Sequence, residues 1–199
     1  MSKKRTKLQS RELQGGRGSV IERLDSAEAA SVLRCLLRRH PELRPETETI
    51  ATDLLCDVSP FSVADEVENA VLQFDYDDLN ARAGRHSLGY VEPGEAAWEL
   101  LEEAVEPFVD DMKRYLELGL EKQAQELCQG ILLGLYRVRD GNQNDILGWA
   151  SDFPGEAAGH AFEVWSEASP KGRQQFPPDF VAEHIPEWKW AAKPSGASR

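Results

Sequence analysis

Residues 93–139, PGEAAWELLEEAVEPFVDDMKRYLELGLEKQAQELCQGILLGLYRVR, constrain this chain more than any other stretch. Trp98, Leu101, Val105, Phe108, Met112 and Tyr115 step by three and four, which places them on one face of a helix. Glu95, Glu99, Glu102, Glu103, Glu106 and Asp110 fall on the opposite, acidic face. Pro107 interrupts the pattern. It removes one backbone hydrogen bond, so a kink or break is expected there. Gly119 and Leu120 mark a turn into a second helix with the stripe Ala124, Leu127, Cys128, Ile131, Leu135 and Val138. From Ile131 to Tyr136 that helix is apolar all round, so it must be covered on more than one side. Gly130 and Gly134 lie one turn apart and imply close packing against a neighbouring helix.

The rest of the chain reads as shorter helices built around this pair. Residues 1–18 are apolar-poor and end in Gln14-Gly15-Gly16-Arg17-Gly18, which suits a disordered tail. Ser26 is the expected cap of a first helix, whose apolar positions are Ala29, Val32, Leu33, Leu36 and Leu37. Pro41 stops it, and Pro45 opens a second helix with an expected buried stripe of Ile50, Leu54, Leu55 and Val58. Ser62 is the expected cap of a third helix, lined by Val63, Val67, Ala70, Val71 and Phe74. Asp75–Asn80 reads as a turn into one short helical turn, which Gly84 ends in a left-handed conformation. Arg85–Glu92 reads as an ordered loop.

After the central pair, Asp140-Gly141-Asn142 is a turn. Ile146–Ala150 makes a short helix, and Asp152 stands before another that begins near Pro154. Phe180, Val181 and Ile185 mark a last helical turn, and Trp188 and Trp190 are expected to pack on the body. The fold class is all-α: an irregular stack of helical hairpins, seven to eight helices, without significant sheet. The expected organisation is a tail over 1–18, one helical domain over 19–190 and a flexible end over 191–199.

The segment LDSAEAASVLRCLLRRHPELRPETETIATDLL resembles the helix–HPEL–helix element of uncharacterised bacterial proteins, some of them associated with SWIM-type zinc fingers. It is also similar, in a general way, to helical hairpins of the HEAT and TPR kind. The resemblance covers under a quarter of the chain and consists mostly of helix punctuation. The clustered Cys and His ligands of a SWIM finger are absent, so it implies no zinc site here.

Charge and cysteine usage limit the function classes. The formal net charge is −12. Residues 1–18 hold six basic side chains against Glu12, a surplus of five, so the remainder carries −17. An acidic body repels nucleic acid and anionic membranes, leaving only the tail to touch phosphate. No apolar run approaches the roughly 20 residues that span a bilayer. The basic start has no apolar region behind it and does not read as a secretory signal. Three widely spaced cysteines (Cys35, Cys56 and Cys128) suit a reducing, cytoplasmic setting with cysteine used as a small buried apolar residue.

Arg82 to Tyr90 is the best candidate site. It gathers Arg82, Arg85, His86, Ser87 and Tyr90 with two glycines. Guanidinium forks and backbone N–H groups are what a phosphate or carboxylate needs. The candidate ligand residues are Arg82, Arg85, His86 and Tyr90. The alternative is that the arginines neutralise Asp75, Asp77 and Asp78. Ser87 does not fit a nucleophile elbow, because Gly84-x-x-Ser87-x-Gly89 is one residue too long and no strand is expected before it. Asp75-x-Asp77 does not begin a calcium loop, since the fifth, sixth and twelfth positions are Leu79, Asn80 and His86. The four histidines (His40, His86, His160 and His184) and the cysteines show no paired ligand spacing. The expectation is therefore no catalytic residue, metal or cofactor. The leading functional reading is a non-enzymatic scaffold that binds another protein. A nucleic-acid-associated protein using the tail and the Arg82–Tyr90 loop is the alternative, and an enzyme with an anion-binding loop is a third.

Overall fold

Asp25, one residue ahead of the expected Ser26, caps the first helix. Its carboxylate accepts from Glu28 N at 2.8 Å, and the Glu28 carboxylate accepts from Asp25 N at 3.1 Å. A carboxylate here satisfies an orphan donor and also suits the positive helix end, which is why it displaces the serine as the cap. The computed structural model describes residues 19–86, 89–140, 145–168 and 176–192. The basic tail, Ser87, the Gly141–Asn142 turn and residues 193–199 lie outside the described residues. The chain divides into two compact units, Met1–Ala51 and Thr52–Arg199.

In the first unit, α1 spans Ser26–Arg39 and a 3-10 turn, Pro41–Leu43, leads into α2, Arg44–Leu55, which crosses the unit boundary. Pro41 does end the first helix, and α2 begins one residue before Pro45. The expected burial does not follow. Neither α1 nor α2 contains a buried residue. Val32, Leu33, Leu36, Ile50 and Leu54 are all exposed. Periodicity fixes which side chains share a face, but burial also needs an opposing surface.

The second unit is a helical stack around one helix. α3 covers Pro60–Leu72, α4 Tyr76–Arg82, α5 Pro93–Glu117, α6 Glu121–Val138, α7 Asp145–Trp149, α8 Phe153–Ala168 and α9 Pro178–His184. The described residues thus hold nine α-helices, more than the expected seven or eight. Helix α6 packs against α3, α5 and α8. Its twelve buried residues include all six from Ile131 to Tyr136, as an apolar circumference requires. Gly130 and Gly134 set the α3 contact. A Cβ on Gly130 would stand 2.5 Å from Val63 Cβ, and one on Gly134 would stand 2.7 Å from Val67 Cβ. Arg137 ties the same two helices at the surface, donating to Asp65 at 2.6 Å and Glu68 at 3.1 Å.

Ser59, not Ser62, caps α3; its hydroxyl accepts from Ser62 N, with Pro60 in the first turn. Helix α5 runs unbroken through Pro107, so a break does not occur. Pro107 lies on the exposed side, beside Glu106, where the Glu103 carbonyl left without its helical donor can reach water. The turn after α5 is a Schellman motif. Gly119 has φ +74°, Gly119 N donates to Leu116 O at 3.0 Å, and Leu120 N donates to Tyr115 O at 2.9 Å. Cys128 is buried and its thiol is pushed up by desolvation, whereas Cys35 is half-buried and Cys56 exposed. Only Cys128 fulfils the expected role of a small core residue.

The C-terminal end closes the unit with aromatic rings. Phe176 is buried and sits edge-on to Trp165 at 5.4 Å and to Phe162 at 5.6 Å. Trp190 meets Phe162 at 5.4 Å and Trp188 meets Tyr136 at 5.2 Å, so both tryptophans pack on the body as expected. Arg139 then latches this end. It donates to both carboxylate oxygens of Glu187, at 2.8 and 3.2 Å, and lies over the Tyr136 ring at 3.8 Å.

Candidate functional site

The Arg82–Tyr90 segment is built by α4 and a short ribbon. Asp75 caps α4, accepting from Asp77 N and Asp78 N, while Asp78 accepts from Asp75 N. The aspartates expected to meet arginine therefore start a helix. Ala83 ends it, and Gly84, with φ +102°, turns the chain into strand β1, Gly84–His86. Strand β2, Gly89–Val91, pairs antiparallel with it, with Arg85 opposite Tyr90 and His86 opposite Gly89. The expected loop is thus a two-stranded hairpin. Three-residue strands are too short to show an alternating pattern in sequence.

This geometry sets Arg82 apart from Arg85 and Tyr90, and the His86 side chain lies outside the described residues. Arg82 turns to α5, donating to Glu103 at 2.8 and 2.9 Å and lying 3.7 Å from Glu99. The fork pushes the Arg82 guanidinium up and holds the Glu103 carboxyl below the usual carboxylate range, in each case chiefly through the shared hydrogen bond. Arg85 and Tyr90 face each other across the ribbon and are exposed; Tyr90 is 62% accessible. Arg82 also lines an open cavity of about 490 Å³ with Asp78, Ala81, Val91 and Leu100. Its fork is already occupied by carboxylates, so an incoming anion would have to displace Glu103.

A second cavity, about 220 Å³, lies between α5 and α8. Glu102, Glu106 and Glu156 line it with Lys113, His160 and Trp98. Trp98 stands edge-on to Phe153 at 5.1 Å, and Lys113 is paired with Asp110 at 2.9 Å. Carboxylates beside an aromatic ring suit a cationic side chain. Nothing in the groove pairs a nucleophile with a base. Among the described residues no group of three or more His, Cys, Asp or Glu could hold a metal ion.

Helix α1 carries an apolar stripe that is exposed. Val32, Leu33 and Leu36 are 49%, 44% and 43% accessible. Val20 and Ile21 in the preceding 3-10 turn, Val20–Arg23, are also exposed. The sequence shows the stripe plainly, but its periodicity is the same as that of a buried helix, so it read as core. Trp188 and Trp190, half-buried against the body, are not part of this exposed surface. Comparison of the chain with protein-family models, curated proteins and solved structures gives no match.

Proposed function

We propose that the chain is a non-enzymatic protein-interaction scaffold of a reducing compartment such as the cytoplasm. The carrying observation is the exposed stripe Val32, Leu33 and Leu36 on α1. Exposed apolar positions at helical spacing are what one helix offers another, or a groove. Among the described residues no helix is long and apolar enough to cross a membrane. The α5–α8 groove supports the same reading, since three carboxylates that line it together with Trp98 fit a basic side chain of a partner.

Affinity capture with the full chain and with a Val32→Glu, Leu36→Glu variant tests this. Both residues are exposed, so the variant should keep its fold by circular dichroism. The scaffold reading expects at least one captured protein to disappear from the variant. Identical capture by both chains sinks it.

A further inference from the structure

We propose that the partner of the α1 stripe is a second copy of this chain, paired antiparallel along α1. This deepens the scaffold reading and rests on it. No described residue of the first unit is buried. Helices that bury none of their apolar side chains ordinarily need a partner surface to be stable. What selects a second copy is charge. Glu28 stands in the first turn of α1 and Arg39 in the last. Eleven residues at about 100° each bring Arg39 back to within about 20° of Glu28, so the two share one edge of the stripe, about 16 Å apart. An acid and a base at opposite ends of one edge are self-complementary under a two-fold axis. Antiparallel pairing puts Glu28 of one copy beside Arg39 of the other, twice. Parallel pairing under a two-fold axis would set this edge against the opposite edge of the other copy, so Glu28 and Arg39 would meet no charged mate. One Glu28 oxygen already accepts from Asp25 N, which leaves the other for the pair.

Sedimentation and light scattering of the full chain, up to about 0.1 mM, are the test. A reversible dimer is expected, with α1 amide exchange slowing as concentration rises. Leu36→Glu should abolish it. Arg39→Glu should weaken it about two- to tenfold, and adding Glu28→Gln, which keeps the capping box, should recover part of that loss. A monomer at every concentration overturns the proposal, as does a dimer indifferent to Leu36→Glu and Arg39→Glu. A monomer that still loses captured proteins on Leu36→Glu overturns the dimer and leaves the scaffold reading standing. A dimer broken by Leu36→Glu whose capture of other proteins is unaffected supports self-pairing and removes the wider scaffold role.

Discussion

Helices α1 and α6 carry apolar stripes of similar spacing, yet one lies open and the other is enclosed by α3, α5 and α8. Two differences separate them. Helix α6 is apolar around its circumference from Ile131 to Tyr136, so no single contact could satisfy it. Helix α1 has one narrow stripe, with Glu28 and Arg39 on one edge and Arg34 and Arg38 on the opposite face. Helix α6 also has Gly130 and Gly134, which let α3 approach to backbone contact. No comparable small pair breaks the α1 stripe. A one-sided stripe without a shaped contact can wait for a partner; an all-round apolar helix cannot.

The sharpest way to break this comparison is at Gly134. A Cβ there would stand 2.7 Å from Val67 Cβ and 2.8 Å from the Ala64 carbonyl oxygen. Backbone cannot rotate away as a side-chain end can. Gly134→Val should therefore cost about 3 kcal/mol, at the top of the overpacking range. Gly134→Ala gains up to about 1 kcal/mol of helix propensity, which offsets only part of its clash. Urea denaturation reads both. An unchanged midpoint for the valine variant would show that α3 does not lie this close. Deletion inside the same helix should cost a similar amount: Leu132 is fully buried, and Leu132→Ala is expected to lose about 2–5 kcal/mol.

The same contrast explains what the sequence could and could not reveal. The α5–α6 pair was legible because its signals are local: a three-four stripe, an acidic face, a glycine turn and an apolar run. Even the glycine approach followed from one-turn spacing, although its partner, α3, did not. Caps were misplaced by one residue at Ser26 and by three at Ser62, since several oxygen-bearing side chains competed for each helix start. The Arg82 partner was misread for a different reason. Asp75 and Asp78 are nearer in sequence, but their oxygens are taken by the α4 backbone, and Glu103 is brought in by tertiary packing. Exposure of the α1 stripe had no local signal at all, because it depends on what stands opposite.

A smaller effect separates the surface ties from the core. Arg82 holds Glu103, and Arg139 holds Glu187, each carboxyl kept below the ordinary value of 4.5 by hydrogen bonds from its arginine. A carboxylate with a depressed folded value stabilises the fold above its unfolded value. That contribution fades as pH falls through the folded one. Glu103→Gln and Glu187→Gln should therefore lower the denaturation midpoint slightly at pH 7. Below the ordinary carboxylate range the gap to the unsubstituted chain should close. Both carboxylates are exposed, so each gap should stay well under that of any core variant. A gap that persists undiminished in acid would mean that the glutamates act through packing rather than charge.

The smallest expected effect is at Leu36, and it is the counterpart of Leu132. Leu36 is 43% accessible, so its truncation exposes little new surface and leaves no enclosed cavity. Alanine is also slightly the better helix former. In dilute protein Leu36→Ala should stay within about 0.5 kcal/mol of the unsubstituted chain. As concentration rises, the unsubstituted chain should gain stability that the variant does not, because only a bound partner gives Leu36 something to lose. A loss of about 2 kcal/mol in dilute protein would place the α1 stripe in the same class as α6. Equal stability of the two chains at every concentration would leave the stripe open but without self-pairing.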